Sequence, residues 1–361
     1  MANKAIFEDK RILITGGTGS LGKTLVRRLL EAKNGAPKKI IVFSRDEGKQ
    51  HAMRMEYLNA ASATDEVIYN NFNRMIEFRV GDVRDVNSLT PALRNADIVI
   101  NAAALKQVPT CEYFPFEAVR TNVEGAHNIV SIIRNHNLPV ETVVGISTDK
   151  ACKPVNVMGM TKSLQERVLL CGNLDCPQTR FITVRYGNVL ASRGSVIPLF
   201  HHQIKNGGPV TITHEDMTRF LLSLDDAVDI VFEAITSAKA GEMYIPRAPT
   251  SKIVDVAKAL IGTRRIETVV TGIRPGEKLH EIMISDEEAH RTSVRGNYYV
   301  IAPILPELMN GEPLPAPALT AEYSSEHDTL SELQTFALLK KHKLLIEDNS
   351  DFDEGRKEML R

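Results

Sequence analysis

The sequence has no apolar run long enough to cross a membrane. Hydrophobic residues make up 43% of its 361 residues, but no stretch approaches the roughly 20 consecutive apolar residues of a membrane helix. The N-terminus also lacks the apolar core of a signal peptide, because Ile12-Leu13-Ile14 is too short. We therefore expect no membrane association.

Cysteine is scarce, and charge is balanced. Cys111, Cys152, Cys171 and Cys176 form no Cys-x-x-Cys pair and have no histidine at zinc spacing, so we expect no metal site. Free, mostly buried thiols in a reducing cytosol are expected, and hence a cytoplasmic protein. The formal net charge of −1 gives no overall attraction to nucleic acid or to an anionic membrane. A chain of this length and ordinary composition is typical of a soluble enzyme with two lobes.

A glycine-rich turn separates the first predicted strand, Arg11–Thr15, from a predicted helix. Glycines at such a place let the backbone approach a phosphate, and the helix N-terminus offers free N–H groups and a partial positive charge. The spacing of Gly16, Gly19 and Gly22 is typical of a dinucleotide-binding turn. The residues of this turn that we expect to contact a dinucleotide are Gly16, Thr18, Gly19, Ser20, Leu21 and Gly22.

The same turn also satisfies a second pattern. Residues 17–24 read Gly-Thr-Gly-Ser-Leu-Gly-Lys-Thr, a literal match to the P-loop of nucleotide hydrolases. A P-loop enzyme needs an acidic residue at the end of a later apolar strand to hold Mg²⁺. The later strand, residues 97–100, is followed instead by Asn101 and the small residues Ala102, Ala103 and Ala104, which leave room for a flat cofactor. We therefore interpret the turn as a dinucleotide site.

The end of the second predicted strand, residues 40–43, distinguishes between two cofactors. In NAD-binding folds an acidic residue here bonds the ribose 2′-hydroxyl. Ser44 and Arg45 stand at this end, and a hydroxyl followed by a fixed cation suits a 2′-phosphate, with Lys49 to assist. We therefore predict NADP as the cofactor. NAD, bound through Asp46, is the alternative.

The stretch 147–162 carries the polar groups that we expect to do chemistry. The apolar run 143–146 before it predicts a buried strand, and open α/β sheets bind ligands at the carboxyl ends of such strands. Positions 147–150 read Ser-Thr-Asp-Lys. The pattern then turns helical, with apolar Met160 and Leu164 on one face. The strand end thus supplies a hydroxyl, a carboxylate and an ammonium, and the helix supplies a second ammonium.

This arrangement resembles the short-chain dehydrogenase/reductase superfamily, in its extended branch that modifies sugar nucleotides. Members carry Ser/Thr at the strand end and Tyr-x-x-x-Lys on the next helix; here the lysine is Lys162, and Met158 holds the tyrosine position. A thioether neither gives nor takes a proton. The combination of residues 147–150 with Met-x-x-x-Lys is similar to the inverting UDP-N-acetylglucosamine 4,6-dehydratases of bacterial capsule and O-antigen synthesis, which also carry Met here.

The resemblance implies a fold class and a division of the chain. It implies an α/β protein, a Rossmann doubly wound parallel sheet with a smaller C-terminal substrate-binding lobe. Residues 1–185 would form the NADP-binding domain, residues 186–330 the sugar-nucleotide-binding lobe with returns to the first domain, and residues 331–361 a C-terminal helix and tail. Because members of the family often form hexamers or dimers, we expect a homo-oligomer.

Further contacts are implied by the resemblance. Asp82 and Val83 would flank the adenine, while Asn122 would stabilise a helix kink and the strand end near the cofactor. Lys106 follows a strand end, so it would face the sugar, with an exposed loop lysine as the alternative. The residues expected to contact a UDP-N-acetyl-hexosamine are Lys106, Asn188, Arg193, Ser195, Val196, Arg219, Arg274 and Glu277. Arg219 and Arg274 match a diphosphate clamp, since the arginine fork bonds phosphate oxygens in pairs; surface salt bridges are the alternative.

The implied chemistry is loss of water from UDP-N-acetylglucosamine, by oxidation at C4, loss of the C5 proton, departure of the 6-hydroxyl and hydride return to C6, with inversion at C5. Asp149 is the candidate acid for the 6-hydroxyl, with a turn carboxylate as the alternative. Lys150 is the candidate base at C5, with a pKa lowered by burial and cationic neighbours. Thr148 would bond the 4-oxygen, and Lys162 would hold the nicotinamide ribose.

Met158 leaves the acceptor of the 4-hydroxyl proton open among Lys162, Lys150 and a water. Two other functions also stay open. One is a UDP-amino-sugar epimerase of the same fold, acting at C4, or at C3 and C5. The other is a catalytically silent NADP-binding regulator, which the missing tyrosine favours and the predicted substrate-loop arginines oppose.

Overall fold

The computed structural model describes residues 5–59, 66–190, 195–309 and 311–348, and a twisted sheet lies at its centre. Within these ranges the sheet has nine strands in the order β14-β15-β10-β6-β5-β4-β1-β2-β3. The strands are β1 (Arg11–Thr15), β2 (Lys39–Ser44), β3 (Ile76–Val80), β4 (Ile98–Asn101), β5 (Thr142–Thr148), β6 (Arg180–Tyr186), β10 (Met243–Pro246), β14 (Thr292–Arg295) and β15 (Tyr298–Ile301). Strands β1 to β6 and β10 run parallel, and β14 and β15 add an antiparallel edge.

Helices cover both faces of the sheet, so its central strands are buried on both sides. In β1, Ile12 and Ile14 belong to one apolar cluster and Leu13 to the other, because alternate side chains of a strand point to opposite faces. The helices are α1 (Ser20–Leu30), α2 (Glu47–Asn59), α3 (Glu66–Met75), α4 (Val86–Leu93), α5 (Val108–Tyr113), α6 (Pro115–Ala118), α7 (Gly125–Asn135), α8 (Val157–Asp175), α9 (Val196–Lys205), α10 (Leu224–Ser237), α11 (Ile253–Ile261), α12 (Asp286–Ala289) and α13 (Glu332–Lys341).

The strand order reverses between β1 and β4, and the loops that follow these two strands lead in opposite directions. Such a switch point leaves a crevice at the carboxyl ends of the strands. The predicted α/β doubly wound parallel fold is confirmed. Helix α4 begins with a side-chain cap, because Asp85 accepts hydrogen bonds from the backbone N–H groups of Asn87 and Ser88.

A smaller lobe lies beyond the end of β6. It contains a three-stranded sheet, β11 (Thr250–Lys252), β9 (Thr218–Leu222) and β7 (Asn188–Val189), and two strand pairs in the described residues, β12 (Thr268–Val270) with β8 (Val210–Ile212) and β13 (Ile282–Ile284) with β16 (Tyr323–Ser324). Helices α9, α11 and α13 share its apolar core. The chain leaves this lobe twice, once to add β10 and once to add the consecutive strands β14 and β15 to the main sheet. The boundaries at residues 185 and 330 stay predictions.

Helix α8 buries polar residues in its first half. Met160 and Leu164, which the sequence places on one helical face, are about half exposed, at 53% and 50%, whereas Lys162 and Gln165 are buried. Both of these side chains donate to the carbonyl oxygen of Ile146, so this part of α8 turns polar groups toward the end of β5. Further along the helix, Leu169 and Leu170 are buried.

Two further findings bear on the composition. No helix in the described ranges is long and apolar enough to span a membrane. All four cysteines are free, with Cys111, Cys152 and Cys176 buried and Cys171 exposed, so the prediction of mostly buried thiols is confirmed.

Candidate active site

A cavity of about 780 Å³ opens at the carboxyl ends of β1, β4, β5 and β6. It brings together turns that lie far apart in the sequence. The predicted cofactor residues that line it are Gly16, Thr18, Gly19, Ser20, Leu21, Gly22, Ser44, Arg45, Lys49, Asp82, Val83, Ala102, Ala103, Ala104 and Lys162. The predicted catalytic residues Thr148, Asp149, Lys150 and Met158 line it as well.

The glycine turn forms a cradle that side chains would fill. Gly16 has a φ of +66°, and a Cβ there would lie 2.8 Å from the backbone nitrogen of Ala103. A Cβ on Gly22 would lie 2.5 Å from the carbonyl oxygen of Gly17. Helix α1 begins after Gly19 with no side-chain cap and no acidic residue in its first turn. Its free N–H groups therefore face the cavity, as a pyrophosphate requires, and the residues present fit a dinucleotide.

The end of β4 separates the dinucleotide interpretation from the P-loop. Asn101 ends this strand, and its Oδ1 accepts a hydrogen bond of 2.7 Å from Thr15 Oγ1. Thr15 Oγ1 accepts in turn from the backbone N–H of Ala103, at 3.2 Å. An amide thus stands where a P-loop enzyme holds its acidic Mg²⁺ ligand, and the small residues after it form the floor of the cavity.

The cations predicted to bind the 2′-phosphate of the cofactor ribose lie at the rim of the cavity. Arg45 is exposed, with Nη1 3.7 Å from Asp82 Oδ2. Lys49 Nζ lies 2.7 Å from Asp46 Oδ2, and this hydrogen bond lowers the pKa of the Asp46 carboxyl. Ser44 Oγ accepts a hydrogen bond from Gln50. Asp46 is therefore already engaged by a cation on its own loop.

Strand β5 delivers the central polar group through a tight turn. Thr148 ends the strand and caps the 3₁₀ turn Asp149–Ala151. Its Oγ1 donates to Asp149 Oδ1 at 2.8 Å, and Lys150 Nζ lies 3.1 Å from the same oxygen. Asp149 is fully buried, and its Oδ2 has no hydrogen-bond partner among the described residues. An ion pair between a buried carboxylate and a partly buried ammonium therefore stands at the strand end, with one carboxylate oxygen still available.

Burial and the neighbouring charges act differently on the two members of this pair. Burial raises the pKa of Asp149, against the opposing effect of Lys150. Burial alone would lower the pKa of Lys150, but the carboxylates of Asp149 and Glu281 outweigh it and raise the pKa. The prediction of a lowered Lys150 pKa is wrong, because its nearest neighbours are two carboxylates rather than cations.

Helix α8 supplies the second lysine and the methionine. Lys162 Nζ donates to the carbonyl oxygen of Ile146 at 2.5 Å and to Gln165 Oε1 at 2.7 Å. Burial lowers the pKa of Lys162 to about 8. Met158, one turn earlier, is buried in a small cluster with Cys111 and Ala118. Of the two positions of the Tyr-x-x-x-Lys pattern, the lysine alone carries a titratable group.

The predicted substrate residues fall into two groups. Lys106, Asn188 and Ser195 line the cavity, and the buried Oγ of Ser195 has no protein partner among the described residues. The group that lies away from the cavity lining consists of Val196, Arg219, Arg274 and Glu277. Arg193 lies outside the described residues.

The structure does not bring the two predicted clamp arginines together at the cavity wall. Arg219 is buried and donates to the carbonyl oxygens of Thr218, Leu279 and Lys278. The Arg274 side chain is 61% exposed and lies 3.8 Å from Glu277. A joint contact with a diphosphate therefore stays a prediction.

Asn122 forms hydrogen bonds within the protein and does not line the cavity. It is fully buried in a π-helical segment, Val119–Glu124, between α6 and α7. Its Oδ1 accepts from the Leu105 N–H, and its Nδ2 donates to the Leu105 carbonyl and to Thr161 Oγ1. It thus ties the loop after β4 to α8, as the predicted stabilising role requires, without lining the cavity.

Sequence analysis missed residues that a second segment brings to the strand end. Glu281 Oε1 lies 3.0 Å from Lys150 Nζ, and Lys278 Nζ donates to the carbonyl oxygen of Cys152 at 2.7 Å. Tyr186, opposite Thr148 on β6, forms part of the cavity wall. The signal for the first two is a polar run, residues 274–281, in which the sequence analysis singled out Arg274 and Glu277 alone.

With this geometry established, comparison with known proteins decides the family. The family model described as polysaccharide biosynthesis protein matches residues 12–303. This chain belongs to that family. Its relatives include a UDP-N-acetylglucosamine 4,6-dehydratase (inverting) of Campylobacter jejuni, 44% identical over 301 residues, which are 82% of this chain and 84% of the relative. A UDP-glucose 4-epimerase of Rickettsia prowazekii is 43% identical over the same shares of both chains.

Solved structures support the fold. The X-ray structure of Pen from Bacillus thuringiensis matches with a TM-score of 0.82 and 32% identity, over 93% of this chain and 99% of that one. DesIV, a dTDP-glucose 4,6-dehydratase of Streptomyces venezuelae solved with NAD and TYD bound, matches with a TM-score of 0.63 and 20% identity over 74% and 86% of the two chains. At that identity the second likeness concerns the fold alone.

Proposed function

We propose that this protein is an NADP-dependent lyase that removes water from UDP-N-acetylglucosamine across C5 and C6, with inversion at C5. The observation that carries the proposal is the Asp149–Lys150 pair, in which a buried carboxylate oxygen lies 3.1 Å from Lys150 Nζ, at the end of the strand that faces the cavity. A simple reductase or epimerase needs no such acid and base. The relative from Campylobacter jejuni named as this dehydratase supports the substrate class.

The cofactor would lie across the cradle and the strand ends. Gly16, Gly19 and Gly22 would hold the pyrophosphate, and Ser44 with Arg45 would hold the 2′-phosphate of NADP. A bound nicotinamide supplies hydride abstraction at C4 and hydride return at C6. NAD stays the alternative through Asp46.

Removal of the 4-hydroxyl proton falls to the groups beside Thr148. The Thr148 hydroxyl lines the cavity and would bond the 4-oxygen. Because the Met158 thioether takes no proton, Lys162 is the proposed acceptor. Its pKa of about 8 leaves a useful fraction as the free amine near neutral pH.

The elimination falls to Asp149 and Lys150. Transfer of one proton from Lys150 Nζ to Asp149 Oδ1 breaks an N–H bond, forms an O–H bond and leaves the net charge unchanged. The products are a neutral amine, which takes the C5 proton, and a neutral carboxylic acid, which protonates the departing 6-hydroxyl. The elimination itself then restores the ammonium and the carboxylate. Hydride return to C6 is completed by a proton that solvent water delivers to C5 from the opposite face, and Lys162 releases the 4-hydroxyl proton to solvent, so the three side chains are ready for another turnover.

An epimerase that acts on a UDP-sugar is the second candidate, because the Rickettsia relatives with that name are as similar as the dehydratases. Incubation with UDP-N-acetylglucosamine in deuterated water distinguishes the candidates by mass spectrometry and NMR. Dehydration predicts a product lighter by one water, with deuterium at C5 and inverted configuration. An isomer of unchanged mass supports the epimerase, and retained NADP without turnover supports the silent regulator.

We also propose a cytoplasmic homo-oligomer, a dimer or a hexamer. The support is a group of exposed apolar side chains on neighbouring helices, Tyr113, Phe114, Phe116, Met160 and Leu164. Light scattering after size-exclusion chromatography measures the assembly. A Phe116→Ser variant would lower the assembly state, because it removes a large apolar side chain that is 71% exposed in the single chain.

A further inference from the structure

Glu281 takes no part in the reaction steps proposed above. It directly precedes β13 and is 1% exposed. Its backbone is fixed on both sides, because its N–H donates to Ser325 Oγ and its carbonyl accepts from the Ser325 N–H. A carboxylate that is buried and held this firmly costs free energy unless a cation meets it.

Two cations lie close to the Glu281 carboxylate, and one of them belongs to the proposed active site. Glu281 Oε1 lies 3.0 Å from Lys150 Nζ and 3.8 Å from Arg219 Nε, while Oε2 is buried without a partner among the described residues. Lys150 Nζ also lies 3.1 Å from Asp149 Oδ1 and 3.4 Å from Asn188 Oδ1. The three N–H bonds of the ammonium thus have three acceptors, of which Glu281 comes from more than 100 residues further along the chain.

We infer that Glu281 is a positioning residue of this active site, which fixes the Lys150 Nζ beside Asp149 and sets the pH range in which the pair exchanges its proton. This inference rests on the dehydratase function proposed above. Glu281 does not line the cavity, so it acts through Lys150 and has no contact with the sugar.

The charges explain why a carboxylate is needed at this place. The charged groups that face Lys150 are Asp149, Glu281, Arg219 and Lys278. With Glu281 ionised, the two carboxylates offset two of the three positive charges of Lys150, Arg219 and Lys278, and without it only one carboxylate would remain. Burial opposes ionisation of Glu281, but Lys150 and Arg219 lower its pKa, so it stays charged while the proton moves between Lys150 and Asp149. Coupled groups of this kind titrate as a unit.

The test is the pH dependence of kcat for dehydration in Glu281→Gln. Loss of one negative charge at 3.0 Å from Nζ would move both limbs of the profile to lower pH, the alkaline limb by about one unit or more. We expect kcat to fall about 10- to 100-fold, since misplacement of a catalytic group by 1 Å costs up to about 10²-fold. KM and NADP affinity would stay unchanged. Glu281→Asp, which keeps the charge, would keep the alkaline limb near its wild-type position.

Glu242→Gln is the matched control, because Glu242 is also buried, pairs with Arg295 at 2.8 Å and lies away from the cavity lining. It would leave the pH limbs in place. If the two limbs of the Glu281→Gln pH profile coincide with those of the control, the inference is overturned and Glu281 has a structural role, whatever the value of kcat. A wild-type protein that fails to dehydrate UDP-N-acetylglucosamine would overturn the proposed function instead, so the two failures are distinguishable.

Discussion

The two ends of the cavity are built in different ways. The cofactor end consists of turns that directly follow β1, β2, β3 and β4, and its shape comes from backbone: glycines without side chains and the uncapped start of α1. The catalytic end consists of buried side chains from segments around residues 149, 162, 188 and 281. One end is therefore shaped by local backbone, with charged side chains such as Arg45 and Asp82 among its lining residues, and the other depends on ionic contacts between distant segments.

This difference has a physical consequence. A backbone cradle changes little when one side chain is replaced, unless the new side chain fills it. A buried ion network changes strongly when one member is removed, because the remaining charge stays buried without its partner. The two ends should therefore respond to mutation in separate ways, and the following predictions test that separation.

The largest expected effect is at the catalytic end. Asp149→Asn keeps the shape of the side chain but removes the acid, so kcat for dehydration should fall by about 10²- to 10⁴-fold. NADP affinity should stay unchanged, because the cradle is intact. Steady-state kinetics and calorimetric titration with NADP measure both. A loss below about tenfold, or a parallel loss of NADP affinity, would contradict the separation.

The backbone cradle at the cofactor end should be sensitive to added bulk. Gly22→Ala would place a Cβ 2.5 Å from the Gly17 carbonyl oxygen, and overpacking of this kind costs about 1–3 kcal/mol. Thermal unfolding should shift to lower temperature, and NADP binding should weaken. Gly48→Ala is the control, because its Cβ would meet only an Asp46 carboxylate oxygen at 3.5 Å. Equal effects of the two changes would argue against the cradle.

Features of the fold that depend on neighbouring residues could be predicted from the sequence, whereas contacts between distant residues could not. Strand β1 was predicted with the bounds observed, and the turn after it was identified, because a local apolar run and glycine spacing determine them. Glu281 was missed because its partner Lys150 is 131 positions earlier, and the polar run 274–281 does not show which of its residues pairs with Lys150. The burial of Lys162 and Glu166 in α8 was not predicted either, because their partners lie on β5 and β6.

Selectivity between cofactors should depend on one exposed cation. Arg45→Ala removes a charge-assisted contact worth about 1.5–3 kcal/mol, so the Kd for NADP should rise by about tenfold or more. The Kd for NAD should stay within about twofold, since NAD lacks the 2′-phosphate that Arg45 would bind. Parallel titrations with the two cofactors measure the ratio. Equal weakening would indicate that Arg45 supports the loop rather than the phosphate.

Lys162 should give oxidation at C4 its own pH dependence. Its pKa of about 8 lies below the usual value because of burial. The free amine is the acceptor, so the single-turnover rate of C4 oxidation should rise with pH and level off above about pH 8. Lys162→Arg, which stays protonated, should lose this rise. A profile that is flat in the wild type, or that persists in the variant, would move the acceptor role to another group.

The smallest effect is expected at the position that departs from the superfamily pattern. Met158→Leu keeps volume and apolarity and should cost less than about 1.5 kcal/mol in stability. Because the thioether transfers no proton, kcat should change by less than about tenfold. Steady-state kinetics of Met158→Leu and Met158→Ala are compared, because Met158→Leu keeps the packing and loses only the sulfur, whereas Met158→Ala loses both. A near-complete loss of activity in Met158→Leu would show that the sulfur has a role of its own.

The fate of the hydrogen on C4 tests the central claim most directly. UDP-N-acetylglucosamine deuterated at C4 is incubated with the wild-type protein in ordinary water, and the product is examined by NMR and mass spectrometry. Dehydration by the Asp149–Lys150 pair predicts a 4-keto product that has lost one water and carries the deuterium at C6. Deuterium recovered at C4 of an isomer with unchanged mass would contradict this account and identify an epimerase.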